Sequence, residues 1–256
     1  MILVNNPGSW DHLYSPLAHA AWHGWTLTDL VFPFFLFAVG YSMALALPAL
    51  RAAGAVIYGT RVLRRTLAIF AIGLLINASP FLRWDETSQL VLRDFDALRI
   101  MGVLQRIAVS FGIAALIIWW GDVRAAVAAT VALLLGYWWA CIALAMNADA
   151  YSLEGFFGTS IDRLMLGASH LYQGEGVPFD PEGLASTIPA IAQVLIGYVV
   201  GRWLAQRPRV DDLPWVLIAS AVTLFLLAQW WSTVLPINKK IWTPSYVLLT
   251  SALAFG

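Results

Sequence analysis

Residues 18–47, AHAAWHGWTLTDLVFPFFLFAVGYSMALAL, hold about twenty successive apolar residues, interrupted near their start by one carboxylate, Asp29. An apolar run of that length is what an α-helix needs to cross a bilayer core. Within hydrocarbon the backbone must satisfy its own hydrogen bonds, so an open chain crosses only as a helix. His19, Trp22, His23 and Trp25 stand directly before the run and therefore sit at a membrane–water boundary. Tryptophan suits that boundary through its amphipathic ring alone. Histidine is less easily explained. His19 and His23 are four residues apart and share a face if the segment is helical, and imidazole exchanges protons readily near neutral pH. The cluster reads as a catalytic site at a membrane surface.

The remaining composition agrees with a membrane class. The chain of 256 residues is 60% hydrophobic and 12% charged, with a mean hydropathy of +0.74, against about 25% charged residues in soluble domains. The expected fold is all-α: one polytopic helical domain embedded in the lipid bilayer. The net charge of zero and the lack of a basic cluster with interleaved aromatics argue against nucleic acid as a partner. The single cysteine, Cys141, lies in an apolar run, so no intrachain disulfide and no Cys/His zinc site is expected.

Six complete spans are predicted, at 25–47, 63–82, 101–120, 125–146, 186–204 and 214–235, with partial helices at both ends. Both termini read as cut, because 1–4 is an apolar stub and 246–256 an apolar run that stops midway. The connections 48–62, 121–124 and 205–213, with their flanks, carry Arg51, Arg61, Arg64, Arg65, Arg124, Arg202, Arg207 and Arg209, eight of the fifteen basic residues. The alternating connections 5–24, 83–100, 147–185 and 236–243 carry eleven of the fifteen acids. The positive-inside rule then places the arginine-rich set in the cytoplasm and the His19 loop outside. Lys239 and Lys240 depart from that rule. The long connection 147–185 is rich in aromatics and is expected to form a cap over the outer surface.

Several segments occur in an order that resembles a known family: NNPGSW near the start, HAAWHGWTLTDLVFPFFLFAVG, LRIMGVLQRIA at 98–108, HLYQ at 170–173, FDPEGLASTIPAI at 179–191 and LPINKKIWTPSYVLLT at 235–250. Together they are similar to the heparan-α-glucosaminide N-acetyltransferase family, in particular to its bacterial members. The resemblance implies a multi-pass enzyme of the bacterial inner membrane that takes acetyl from cytoplasmic acetyl-CoA and delivers it to an amino sugar on the periplasmic side. It implies no metal and allows a homodimer. It also implies a first helix upstream and further helices downstream, so the chain as it stands is expected to be inactive. The family's active-site histidine corresponds to His19, and an upstream asparagine to Asn5 or Asn6. His23 is not required as a base.

Acetyl transfer to an amine needs a base, donors for the developing oxyanion, and two reactants held close. His19 suits the base, or can itself carry acetyl transiently, and the sequence leaves both routes open. Asn5 or Asn6 offers an amide donor, although Asn-Pro-Gly is also a turn signal. Asp29 can orient an imidazole, cap the helix start, or pair with a buried arginine. Arg106 lies inside an apolar run and needs a partner, either Asp29 or a ligand. Asp180, Glu182, Asn238, Lys239 and His170 are candidates for substrate binding. Arg61, Arg64, Arg65, Arg99 and Gln105 are candidates for contacts to coenzyme A, for which no Gly-rich phosphate loop is present. Two other classes stay open: a transporter of a small polar solute, which also uses intramembrane charges, and a membrane acetyltransferase acting on sugar hydroxyls.

Overall fold

A computed structural model describes residue 8 and residues 14–84, 89–92, 95–147, 149–206 and 213–255. Its helices are α1 (Val31–Ala52), α2 (Ala55–Ala78), α3 (Val103–Ala143), α4 (Phe157–Leu166), α5 (Leu184–Ala205), α6 (Leu213–Ser232) and α7 (Pro244–Leu253). A short antiparallel hairpin, β1 (Leu82–Trp84) and β2 (Leu90–Leu92), separates α2 from α3. The all-α expectation holds. The six complete spans are not reproduced one for one. Among the described residues four helices are long and apolar enough to cross a membrane: Leu27–Ala52, Val103–Ala143, Leu184–Ala205 and Leu213–Ser232.

The differences have local causes. The spans expected at 101–120 and 125–146 correspond to the two helical segments of α3, which are separated by a sharp break at Asp122, with φ 54° and ψ −134°. The span expected at 63–82 becomes α2, which has 24 residues. Arg61, Arg64 and Arg65 occupy its first half, so the stretch beyond them is short for a full crossing. α7 ends after 10 residues.

α5 is the centre of the bundle and makes its most extensive contacts with α1 and α3. Small residues allow this closeness, as in other membrane helix pairs. A Cβ built on Gly40 of α1 would lie 1.9 Å from the Val194 carbonyl oxygen, and one on Gly197 of α5 would lie 2.1 Å from that of Phe37. Neither backbone can yield without separating the helices. Gly40→Ala is therefore expected to destabilise the protein by about 1–3 kcal/mol, read as a lower midpoint of unfolding in detergent. An unchanged midpoint would contradict this crossing.

Candidate active site

The segment entering α1 is irregular. Residues 19–26 contain no helix, so the shared helical face expected for His19 and His23 does not form. Instead Gly24 bridges to Asn238, and its N–H donates to the Ile237 carbonyl at 2.8 Å. That contact lays the His19 segment beside the 236–243 loop, although the two are more than 200 residues apart in sequence. Trp22 fastens the other flank, donating from Nε1 to the Tyr151 carbonyl at 2.8 Å and meeting the Phe179 ring with centroids 5.6 Å apart. Phe179 belongs to a buried aromatic cluster with Tyr137, Phe156 and Phe157.

Asp29 is fully buried and gathers these pieces. Its Oδ2 accepts from the Ala20 and Thr26 backbone N–H groups, both at 3.0 Å. With Thr26 it forms a capping box at the turn Leu27–Leu30 that leads into α1. Its Oδ1 lies 2.6 Å from His19 Nδ1 and 3.0 Å from Lys239 Nζ. Tyr246 of α7 donates its hydroxyl to the Asp29 carbonyl oxygen. The carboxylate thus serves both as a helix-start residue and as an orienter of the imidazole.

One proton decides the chemistry of the pair. Lys239 Nζ also stands 2.9 Å from His19 Nδ1, yet Nδ1 can take part in only one of the two bonds. A nitrogen and a carboxylate oxygen separated by 2.6 Å hold a hydrogen between them, since two bare acceptors would repel. We therefore assign Nδ1–H as donor to Asp29, with Lys239 donating to the same carboxylate. Nε2 is then the free basic nitrogen. The His19 side chain is 47% exposed and lines a cleft of about 350 Å³, together with Tyr172, Glu175, Glu182, Lys239 and Lys240.

The far wall of the cleft is built from a second charge cluster. Arg99 holds Asp180 with two bonds, Nε to Oδ2 at 2.9 Å and Nη2 to Oδ1 at 2.6 Å, and reaches Glu182 at 2.5 Å. This fork geometry suits guanidinium and carboxylate. Burial works against the Arg99 charge, but the two carboxylates outweigh it and raise its pKa above the ordinary value. Its guanidinium also stacks on Tyr172, 5.0 Å from the ring centroid. Lys240 donates to Glu175 at 2.7 Å.

A profile of the heparan-alpha-glucosaminide N-acetyltransferase catalytic region matches residues 10–230. The chain belongs to this family. Its human and mouse relatives, each called heparan-alpha-glucosaminide N-acetyltransferase, are 26% identical to it over 314 and 312 aligned positions. Each alignment takes in the whole chain and 45% of the relative, so the chain spans less than half the length of these proteins.

The other candidate residues of this acetyltransferase-family chain fall in several places. Asn5 and Asn6 lie outside the described residues. His23 Nδ1 is 3.4 Å from Asn238 Nδ2, and buried Asn238 accepts from the Ile241 N–H at 3.1 Å, shaping its own loop. His170 lies against the Leu98 carbonyl at 2.8 Å, next to Arg99 rather than in the cleft. Arg106 is fully buried but does not pair with Asp29: its Nη2 donates to the Pro181 carbonyl at 2.5 Å and to Ser186. Its guanidinium lies 4.8 Å from the Trp242 ring centroid, a favourable place for a desolvated cation. Gln105 is buried beside Gly73 and Gly102. Arg61, Arg64 and Arg65 are exposed on the first half of α2, the half remote from the cleft; Arg65 stacks on Phe111 at 4.9 Å.

Sequence reading names Lys240 only as a departure from the charge rule and does not place Tyr172, Glu175, Lys240 or Thr26 in the site. Tyr172 stands within the HLYQ segment and Lys240 beside Lys239, so a signal existed for both. Asp162 was also passed over. It accepts from the Leu184 N–H at 2.8 Å and the Ala185 N–H at 3.4 Å, capping α5 from the neighbouring α4. Burial, only partly opposed by those N–H groups, pushes its pKa from 3.8 up to about 6. Between these values the folded state binds more protons than the unfolded state. The contribution of Asp162 is therefore full below about pH 4 and is lost as pH rises through about 6. Asp162→Asn keeps an acceptor for the cap, so its unfolding midpoint is expected to fall less than that of wild type between pH 4 and 7. Equal pH dependence in the two proteins would contradict the assignment.

Proposed function

We propose that this chain is the catalytic part of a membrane acetyltransferase that moves acetyl from acetyl-CoA to the amine of a glucosamine-type sugar. The observation that carries the reading is the buried Asp29 carboxylate holding Nδ1 of His19, which leaves Nε2 as the free basic nitrogen of a side chain that lines a cleft. The name of both relatives, heparan-alpha-glucosaminide N-acetyltransferase, supports the reaction class. The cleft volume of about 350 Å³ falls within the range of small-molecule sites, about 300–1,000 Å³.

In this reading His19 Nε2 takes a proton from the acceptor nitrogen as that nitrogen attacks the thioester carbonyl carbon. The carbon–sulfur bond breaks, and the imidazolium returns its proton to the departing thiolate, giving the amide and free coenzyme A. Asp29 keeps the imidazole in the required tautomer and stabilises the imidazolium. Lys239 balances the Asp29 charge. Asn5 or Asn6 supplies an amide donor to the oxyanion. Tyr172 offers an aromatic face to the sugar, with Glu175 and Glu182 beside its hydroxyls and its neutral amine. The His19 end faces the periplasm of a bacterial inner membrane, and the donor enters from the arginine-rich end.

The reading is tested by incubating membranes that contain the full-length protein with labelled acetyl-CoA and a panel of hexosamines. Label is expected on the amine of glucosamine-type acceptors. Label on sugars that have only hydroxyl groups, or on no sugar at saturating donor, would overturn it.

A further inference from the structure

The β1–β2 hairpin has a face that nothing among the described residues covers. Its register pairs Leu82 with Leu92 and Trp84 with Leu90. Side chains alternate along a strand, so these four point to the same side. They are 45%, 72%, 71% and 53% exposed in that order, and the hairpin makes no extensive packing with any helix among the described residues. A lone two-stranded hairpin is marginal in water, and a wholly apolar face is a liability there.

The geometry points to the bilayer as the cover: the hairpin lies flat on the membrane surface at the His19 end, with Leu82, Trp84, Leu90 and Leu92 sunk into the headgroup–acyl boundary. Continuity of the chain supports this occupant. Three residues separate the hairpin from α2, whose last turns expose Leu75 and Ile76, both at 59%, as a face suited to lipid. Phe81 and Phe95 flank the strands with ring centroids 6.5 Å apart and are themselves 48% and 41% exposed, so exposed apolar side chains recur from the end of the helix into the hairpin. Tryptophan is the side chain most at home at that depth, and amphipathic elements bind there through their buried apolar area.

The anchor has a consequence for the cleft. The chain leaves β2 through Leu98, whose carbonyl meets His170 at 2.8 Å, and Arg99, which grips Asp180 and Glu182. Asn77 at the end of α2 donates to the Arg99 carbonyl at 3.0 Å. The hairpin thereby ties one wall of the cleft to the plane of the bilayer. This inference does not depend on the transferase reading.

The test uses the full chain in proteoliposomes, with a nitroxide placed by Trp84→Cys and, separately, by Leu92→Cys. Native Cys141 is buried and is replaced by alanine. Both labels are expected to collide with lipid-soluble oxygen more than with a water-soluble nickel complex. Greater accessibility to nickel would place the face in water and overturn the proposal. Low accessibility to both reagents would mean a protein cover, a second copy or another segment, and would equally overturn it.

Discussion

His19→Ala is expected to lower acetyl transfer by about 10²–10⁴-fold, the range for loss of a positioned general base. The fold should survive. The His19 side chain is half exposed, and the hydrogen bonds that carry the α1 entry run to Asp29 from Ala20 and Thr26 rather than from the imidazole. Unfolding midpoints of the two proteins should therefore nearly coincide while their initial rates diverge. A parallel loss of stability and rate would make His19 a structural residue. An unaltered rate would remove it from the mechanism.

Asp29→Ala should show the largest loss of stability. The substitution leaves Lys239, whose side chain is only 20% exposed, without its counter-charge, and it strips two backbone N–H groups of their acceptor. Removing one partner of a buried ion pair costs about 3–5 kcal/mol. Asp29→Asn separates the two tasks of the residue. The amide oxygen can still accept from both the Ala20 and Thr26 N–H groups, so the helix start is largely kept, but the charge that steadies an imidazolium is gone. Its activity is expected to fall towards that of His19→Ala with a much smaller shift in unfolding midpoint. Full activity in Asp29→Asn would show that the carboxylate acts only as a cap.

The sequence was most informative where lipid constrains the chain. The run after Asp29 could only be a helix, and the boundary placement of His19 followed from it. Lys239 stood out because it broke the charge asymmetry of the loops, and in the structure it reaches Asp29 from 210 positions away. Its partner was not legible, because the bridge from Gly24 to Asn238 is a tertiary contact with no local signature. The helical spacing of His19 and His23 misled for the same reason: that bridge holds the segment irregular. Arg106 needs a partner by its place in the sequence, but its direct contacts are the carbonyl of Pro181, the hydroxyl of Ser186 and the face of Trp242, with Nε and Nη1 left without a hydrogen-bond partner among the described residues, and a scan for paired charges finds none of these. Asp180 and Glu182 were legible as a pair, but their hold on Arg99 came from a distant loop. The division into two spans around 121–124 agrees with the break at Asp122, and the count of six is not reached at α2, whose arginines are consistent with either a boundary or a span.

The central claim concerns one nitrogen, and a structure of the full-length protein with a bound hexosamine tests it most directly. The account predicts the acceptor amine within about 2.6–3.2 Å of His19 Nε2, with Asp29 still on Nδ1. An amine held elsewhere in the cleft, with Nε2 turned away or engaged by another protein group, would contradict it.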